Sequence, residues 1–410
     1  MKRALAFSLL AAMSFGRPAA SSAATVVAGH HHGHAFYRIV VPDAWNGELV
    51  IWNHGFSLAP IGPVSDLGPL AALQLAEGYA VAASSYQMPG WALFKTNEDL
   101  ETMYEAFVER FGKPQKVFVT GASLGGIVTA AAVEEAELGN VAGALSLCGA
   151  LGGSRNWDGA LDLRLGYDAI CASVPGAFLP GGAEGLPAGL TLSSTQMALA
   201  VHACFGILAP APLRTPAQTA RLATFMNLMH LPESFVLTDM GYATFAMSDL
   251  VHDRRKLKGR IGVGNANVSY EDIAIDSAIE RVSPHRGAAH RLEEHFTPTG
   301  NVGGTKIVSL HTDKDGLVIV ENESEYASVV PASNLTTAVA IEAVPSHCGF
   351  TAAEVAASWE SLRGWVAGGP QPTAATIQGT CSALAPSFGG PCRINPAFVI
   401  PDMDGRIRPR

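Results

Sequence analysis

Charge is scarce in this chain. Only 15% of its 410 residues are Asp, Glu, Lys or Arg, and they sum to −9. Nucleic-acid binding needs a basic face interleaved with aromatics, and neither the sign nor the spacing of these charges provides one. The mild acidity serves solubility. The sequence has no internal repeat, no block of like charge and no phosphate-cradling glycine loop, which sets aside solenoid and nucleotide-binding architectures. No Cys, His and carboxylate spacing completes a metal set, so neither cofactor nor metal is expected. His30-His31-His32-Gly33-His34 can bind a transition metal but reads as a solvated N-terminal segment. Long apolar runs are also missing. Ala4 to Phe15 is too short for a stable membrane span and is soon interrupted by Arg17 and Pro18; Leu199 to Leu213 is broken by His202 and two prolines.

The early run has a different use. With Lys2 and Arg3 before it and Ser21-Ser22-Ala23-Ala24 after it, residues 1–24 have the form of a signal peptide. A secreted or periplasmic, soluble mature protein is expected. All six cysteines lie in that mature region, and an even count in an exported chain points to disulfides. Cys381 and Cys392 are the first pair to expect, as a clip on a Pro/Gly-rich tail. Cys171 with Cys204 would staple the middle of the chain, leaving Cys148 with Cys348.

Hydrophobic content of 48% supports a sizeable core, and the length suits one large α/β domain with an insertion as well as two or three domains. Tyr37 to Val41 reads as an edge strand ending at Pro42. Leu49 to Trp52 is a continuous apolar run, as in a strand covered on both faces. Ser65 reads as the cap of a helix to about Glu77, followed by a strand over Tyr79 to Tyr86. An acidic helix is expected from Thr96 or Asn97 to Phe111, a strand at Lys116 to Thr120 and another at Val141 to Cys148. The alternation then stops. From Gly149 to about Gly303 there are helical patches at Gln196–Leu208, Pro216–Met229 and Ala274–Arg281, separated by Gly/Pro stretches. That is too long for a loop in a compact domain and reads as an inserted, mainly helical cap. Strands resume at Lys306 to Leu310 and Ala338 to Val344. A capping box, Thr351 with Glu354, starts a last helix to about Trp365.

The chain is organised around Gly121-Ala122-Ser123-Leu124-Gly125, which fits G-x-S-x-G between a β-branched strand and a helix of small residues. Such a corner pushes a serine hydroxyl above a sheet edge and places it at a helix N-terminus. A serine hydroxyl needs a base, and the base needs an orienting carboxylate. After the strand at 306–310 come Asp313 and Asp315; after the strand at 338–344 comes His347. The order Ser, acid, His is that of doubly wound hydrolases. Two N–H donors are needed for an oxyanion: Leu124, which opens the helix, and Phe56, in the His54-Gly55-Phe56 loop after the first central strand. His285, His290 and His295 have no strand before them and read as surface or pocket residues.

His54-Gly55, the Ser123 corner, Asp315 and His347 together resemble the α/β-hydrolase superfamily. The match covers about 37 to 150 and 304 to 368. Pro42-Asp43-Ala44-Trp45-Asn46-Gly47 and His347-Cys348-Gly349-Phe350-Thr351 with Glu354 are similar to secreted bacterial hydrolases of the prolyl-oligopeptidase and esterase branches. The resemblance implies a mostly parallel doubly wound sheet, with a large helical cap inserted after the strand at 141–148. It divides the chain into signal (1–24), hydrolase core (25–150 and 304–368), cap (151–303) and Pro/Gly-rich C-terminal extension (369–410). In the superfamily the acid precedes a small turn residue and two apolar ones, so Asp315-Gly316-Leu317-Val318 selects Asp315, with Asp313 in reserve. Tannase and feruloyl-esterase relatives carry a cysteine directly before the serine and another after the histidine. Here Ala122 precedes Ser123, so that bridge cannot form, and Cys348 is left to meet Cys148.

The expected activity is a secreted serine esterase: Ser123 nucleophile, His347 base, Asp315 orienting acid, Phe56 and Leu124 oxyanion donors. Phe205, Phe225, Met226, Met229, Phe235 and Met240 each read first as core of the cap, and together suggest an apolar ester substrate. The alternatives are a peptidase of the same fold, for which the cap offers Glu184, Asp239, Glu271 and Asp272 without an obvious pair, and a non-catalytic binding protein on a hydrolase scaffold.

Overall fold

The computed structural model describes residues 24–30 and 35–410. The expected signal, except for Ala24, and His31, His32 and His34 of the histidine cluster lie outside the described residues. Two compact units are present, one comprising Ser154–Thr297 with Asp402–Arg410, the other the remaining described residues up to Pro401.

The second unit is built on eight strands: β1 (Ala24–His30), β2 (Phe36–Pro42), β3 (Glu48–Asn53), β4 (Ala80–Ser84), β5 (Lys116–Ala122), β6 (Val141–Leu147), β7 (Lys306–Thr312) and β8 (Leu335–Ala340). Their order across the sheet is β1-β2-β4-β3-β5-β6-β7-β8. β2 runs antiparallel to both β1 and β4, and all later pairings are parallel. This is the α/β-hydrolase fold. The central strands are apolar without alternation because helices cover both faces, and β3 is buried from Leu49 onward. Helix Ala352–Val366 contributes Trp359, wholly buried, which meets the edges of Tyr79 and Phe118, each at 5.2 Å between ring centroids. Its capping box is formed by Thr351 and Glu354.

Four local expectations are revised. The segment at 37–41 is not an edge strand: Thr25-Val26-Val27 continues as β1 and pairs outside it in full register from Ala24↔Pro42 to His30↔Phe36. The helix from Ser65 is reduced to Ala71–Ala76, because Gly68 takes φ +93° and Pro69 follows it. The strand at 338–344 begins and ends earlier, as β8. Its chain departs at Ile341, whose N–H donates to Arg393 O at 2.9 Å. The segment read as a Pro/Gly-rich extension contains a helix, Ala374–Phe388, packed on helix 352–366 and joined to the chain beyond it by Cys381–Cys392. Arg393 then forks onto the buried Glu354 carboxylate.

The other unit is helical. Its main helices are Arg155–Cys171, Ser194–Phe205, Pro216–Met229, a continuous helical run over 236–252 and Arg286–Glu294. Ser193 with Gln196 and Thr215 with Gln218 form capping boxes at two of them. Phe205 meets Tyr167 edge to face and packs at a tilt on Phe225, and Met229, Phe235 and Met240 are buried as well. Five of the six apolar side chains named as possible substrate wall are buried in the helical unit, in line with reading each of them first as its core. Arg164 is fully buried and donates to the carbonyls of Leu179, Pro180 and Gly185, tying the Gly/Pro stretch to its helix. Cys171–Cys204 staples two helices. Among the described residues no helix is long and apolar enough to cross a membrane.

Candidate active site

β5 ends at Ala122 and a helix begins at Leu124, so the corner falls on Ser123 alone. Its backbone stands at φ +59°, ψ −123°, a conformation costing on the order of 1–3 kcal/mol for a residue with a side chain. Neighbours hold it there: its N–H donates to Leu147 O at 2.9 Å and its carbonyl accepts from Gly126 N at 2.9 Å. Glycine is required beside it for reasons of space. A Cβ on Gly125 would lie 2.0 Å from the carbonyl oxygen of Asn53, and one on Gly121 would lie 2.1 Å from that of Gly125. Gly125→Ala is therefore expected to cost about 3 kcal/mol, the upper end of overpacking, read as a fall in the denaturation midpoint.

The loop that follows β3 is pressed against this corner. A Cβ on Gly55 would come within 3.5 Å of Ser123 Cβ. Asn53 Nδ2 donates to Thr129 Oγ1, which donates to Gly125 O, coupling strand end to helix. The His54 ring stacks on Tyr86 at 4.1 Å, Tyr86 Oη donates to the His54 carbonyl, and burial holds this imidazole below the ordinary histidine value. Behind Tyr86, Gln87 donates from backbone and side chain to Asp99, whose carboxyl burial pushes up to about 7. Leu124 N–H is the first of its helix, without an intrahelical acceptor, and Phe56 lies on the loop just described. Tyr86, Gln87 and Asp99 were not found by sequence reasoning, and no local pattern marks them.

Asp315 and His347 arrive on the loops after β7 and β8. His347 Nε2 is 2.8 Å from Ser123 Oγ, and His347 Nδ1 is 2.7 Å from Asp315 Oδ2. Asp315 is buried and accepts three further hydrogen bonds, from the N–H groups of Leu317, Val318 and Cys348. Burial alone would raise its pKa, but His347, His311 and the Cys348 N–H hold it below the ordinary carboxylate value. Asp313 is turned elsewhere, accepting from Glu342 N–H at 2.7 Å. Ser123, Asp315 and His347 are thus brought together, and Asp313 is not among them.

Cys148 and Cys348 form a disulfide with Cα atoms 5.4 Å apart. Sγ of Cys348 lies 3.5 Å from His347 Nε2. These two sulfurs, Asp315 and His347 lie close enough to suggest a metal cluster. The set does not fit one, because the disulfide leaves no thiolate and the imidazole and carboxylate hold each other.

No protein-family model and no curated protein matches the sequence. Similar solved structures include an esterase of Pyrococcus furiosus (13% identity, 84% of this chain and 91% of that one, TM-score 0.40). Feruloyl esterase B of Aspergillus oryzae is 13% identical over 85% and 81%, with TM-score 0.42. Lipase A of Candida antarctica is 11% identical over 91% and 80%, with TM-score 0.43.

Proposed function

We propose that the protein is a serine hydrolase of carboxylic esters. In this reading Ser123 Oγ attacks the ester carbonyl carbon while His347 Nε2 takes the hydroxyl proton. The carbonyl oxygen becomes an oxyanion held by the N–H groups of Leu124 and Phe56. Collapse expels the alcohol, which receives the proton from His347, and leaves an acyl group on Ser123. Water then repeats the sequence: His347 takes its proton, hydroxide adds to the acyl carbon, and the carboxylic acid leaves as the proton returns to Ser123. Asp315 keeps Nδ1–H pointed at itself throughout, which fixes the tautomer that presents Nε2 to Ser123.

The observation that carries the reading is the unbroken contact Ser123–His347–Asp315, with a buried carboxylate at its far end. An ester is favoured over a peptide because two of the four cap carboxylates already have partners within the helical unit. Asp272 caps helix Ile273–Ala278 by accepting from Ala274 and Ile275, and Glu184 stands 3.4 Å from His252. Export agrees with three disulfides and no free cysteine.

A fluorophosphonate probe is expected to label Ser123 stoichiometrically and to abolish hydrolysis of a nitrophenyl ester in step, while an aminoacyl anilide is left uncut before labelling. An unlabelled chain sinks both enzyme readings and leaves the binding protein. Rapid anilide cleavage selects the peptidase.

A further inference from the structure

Asp315 is held from two sides. One oxygen faces His347; the other is reached from a second, deeper histidine. Val318 N–H donates to Asp315 Oδ1 at 3.0 Å, and the carbonyl of the same Val318 receives Nε2 of His311 at 2.7 Å. His311 Nδ1 lies 3.0 Å from Glu323 Oε1, which also accepts from Ser309 Oγ at 2.7 Å. Ser309, His311 and Glu323 are each 0% exposed. A hydrogen-bonded chain therefore runs from Glu323 through His311, the Val318 residue, Asp315 and His347 to Ser123.

The partners assign the charge on His311. A neutral imidazole has one donor and one acceptor nitrogen. The Val318 carbonyl can only accept, so Nε2 carries a proton. With Glu323 as a carboxylate, its Oε1 receives the Ser309 hydroxyl and accepts from Nδ1 too, so Nδ1 carries another. The titratable groups facing the ring are Glu323, from helix Asn322–Val329, and Asp315, from the loop after β7. Burial alone would lower the pKa of this histidine, but those two carboxylates and the Val318 carbonyl raise it above the ordinary value.

We propose that His311 is a permanently protonated positioning residue that keeps Asp315 ionised and aimed, so that Oδ2 is always offered to His347. The imidazolium acts on Asp315 as a nearby positive charge, and Val318 fixes the geometry of both, its carbonyl accepting from His311 and its N–H donating to Asp315 Oδ1. The inference rests on the triad reading above and extends it inward by one ion pair, which touches no substrate.

The test uses nitrogen NMR of the full chain with labelled histidine, together with Glu323→Gln. That variant replaces the ion pair by a neutral pair of the same shape, the glutamine amide donating to Nδ1. Wild type is expected to keep both His311 ring nitrogens protonated at pH 7 and through the acidic limb of the activity profile, while in Glu323→Gln burial, no longer opposed by that carboxylate, leaves the ring with a single proton at both. In the same variant the acidic limb of the kcat/KM profile moves to higher pH, since a ring that is neutral through that limb no longer sets a cation beside Asp315, and the Glu323 anion lost with it lay on the far side of the ring. A residue that served only packing would lower kcat and stability and leave that limb in place. A wild-type ring with a single proton at pH 7, or an unmoved limb, overturns the inference alone while Ser123 is still labelled. A Ser123→Ala protein as active as wild type overturns the reading beneath it, and this inference with it.

Discussion

Ester hydrolysis by a Ser123→Ala protein is expected to fall by about 10⁴- to 10⁶-fold in kcat, with the denaturation midpoint nearly unchanged. The alanine fills the same space at the same corner, and only the atom 2.8 Å from His347 is removed. Asp315→Asn is expected to cost about 10⁴-fold for a different reason. An amide facing His347 Nδ1 can donate, which favours the tautomer with its proton on Nε2, so that nitrogen no longer accepts from serine. Asp313→Asn serves as the control and is expected to stay within about tenfold of wild type, because that carboxylate supports Glu342 rather than the imidazole. Steady-state kinetics on a nitrophenyl ester, with thermal scans of each protein, separate the three. Equal losses at 313 and 315 contradict the assignment of the acid.

Replacing both Cys148 and Cys348 by serine is expected to lower stability by about 3–5 kcal/mol. The bridge spans 200 residues of sequence, and closing so long a loop in the unfolded chain is where its largest contribution lies. With roughly 2–4 °C per kcal/mol for domains of 150–250 residues, the midpoint should fall by about 6–20 °C. Activity should fall as well, by about 10- to 100-fold in kcat, because Cys348 adjoins the His347 imidazole and its own N–H, whose position the bridge fixes, holds Asp315. Calorimetry and kinetics with and without a phosphine reductant check both effects. A reduced wild-type protein that matches the oxidised one in midpoint and rate contradicts the prediction.

Much of the sheet could be read from the sequence, because strands buried on both faces announce themselves as apolar runs and the helices between them begin with recognisable caps. Thr351 with Glu354 is such a case. The residues named for the relay are those the structure brings within hydrogen-bonding distance, since each follows a buried strand, and the resemblance to the superfamily, whose acid precedes a small turn residue and two apolar ones, had preferred Asp315 to Asp313. The three cysteine pairs were likewise accessible, two from spacing and the third from what remained. β1 was missed because its β-branched run lies directly after a stretch that reads as a signal. The helix Ala374–Phe388 was hidden by Pro and Gly around it and by Pro386 within it. His311 and Glu323 carried no mark at all. A histidine in a strand and a glutamate in a helix acquire a joint meaning only when the fold buries them on a common side, and no sequence period records that.

The backward-bent serine has an evolutionary implication. Its dihedral angles suit glycine better than any other residue, so a lineage no longer selected for the Ser123 hydroxyl would gain stability by mutating that codon. Retention of serine at 123 in descendants would then mark continuing selection for its hydroxyl, since the backbone by itself favours glycine there.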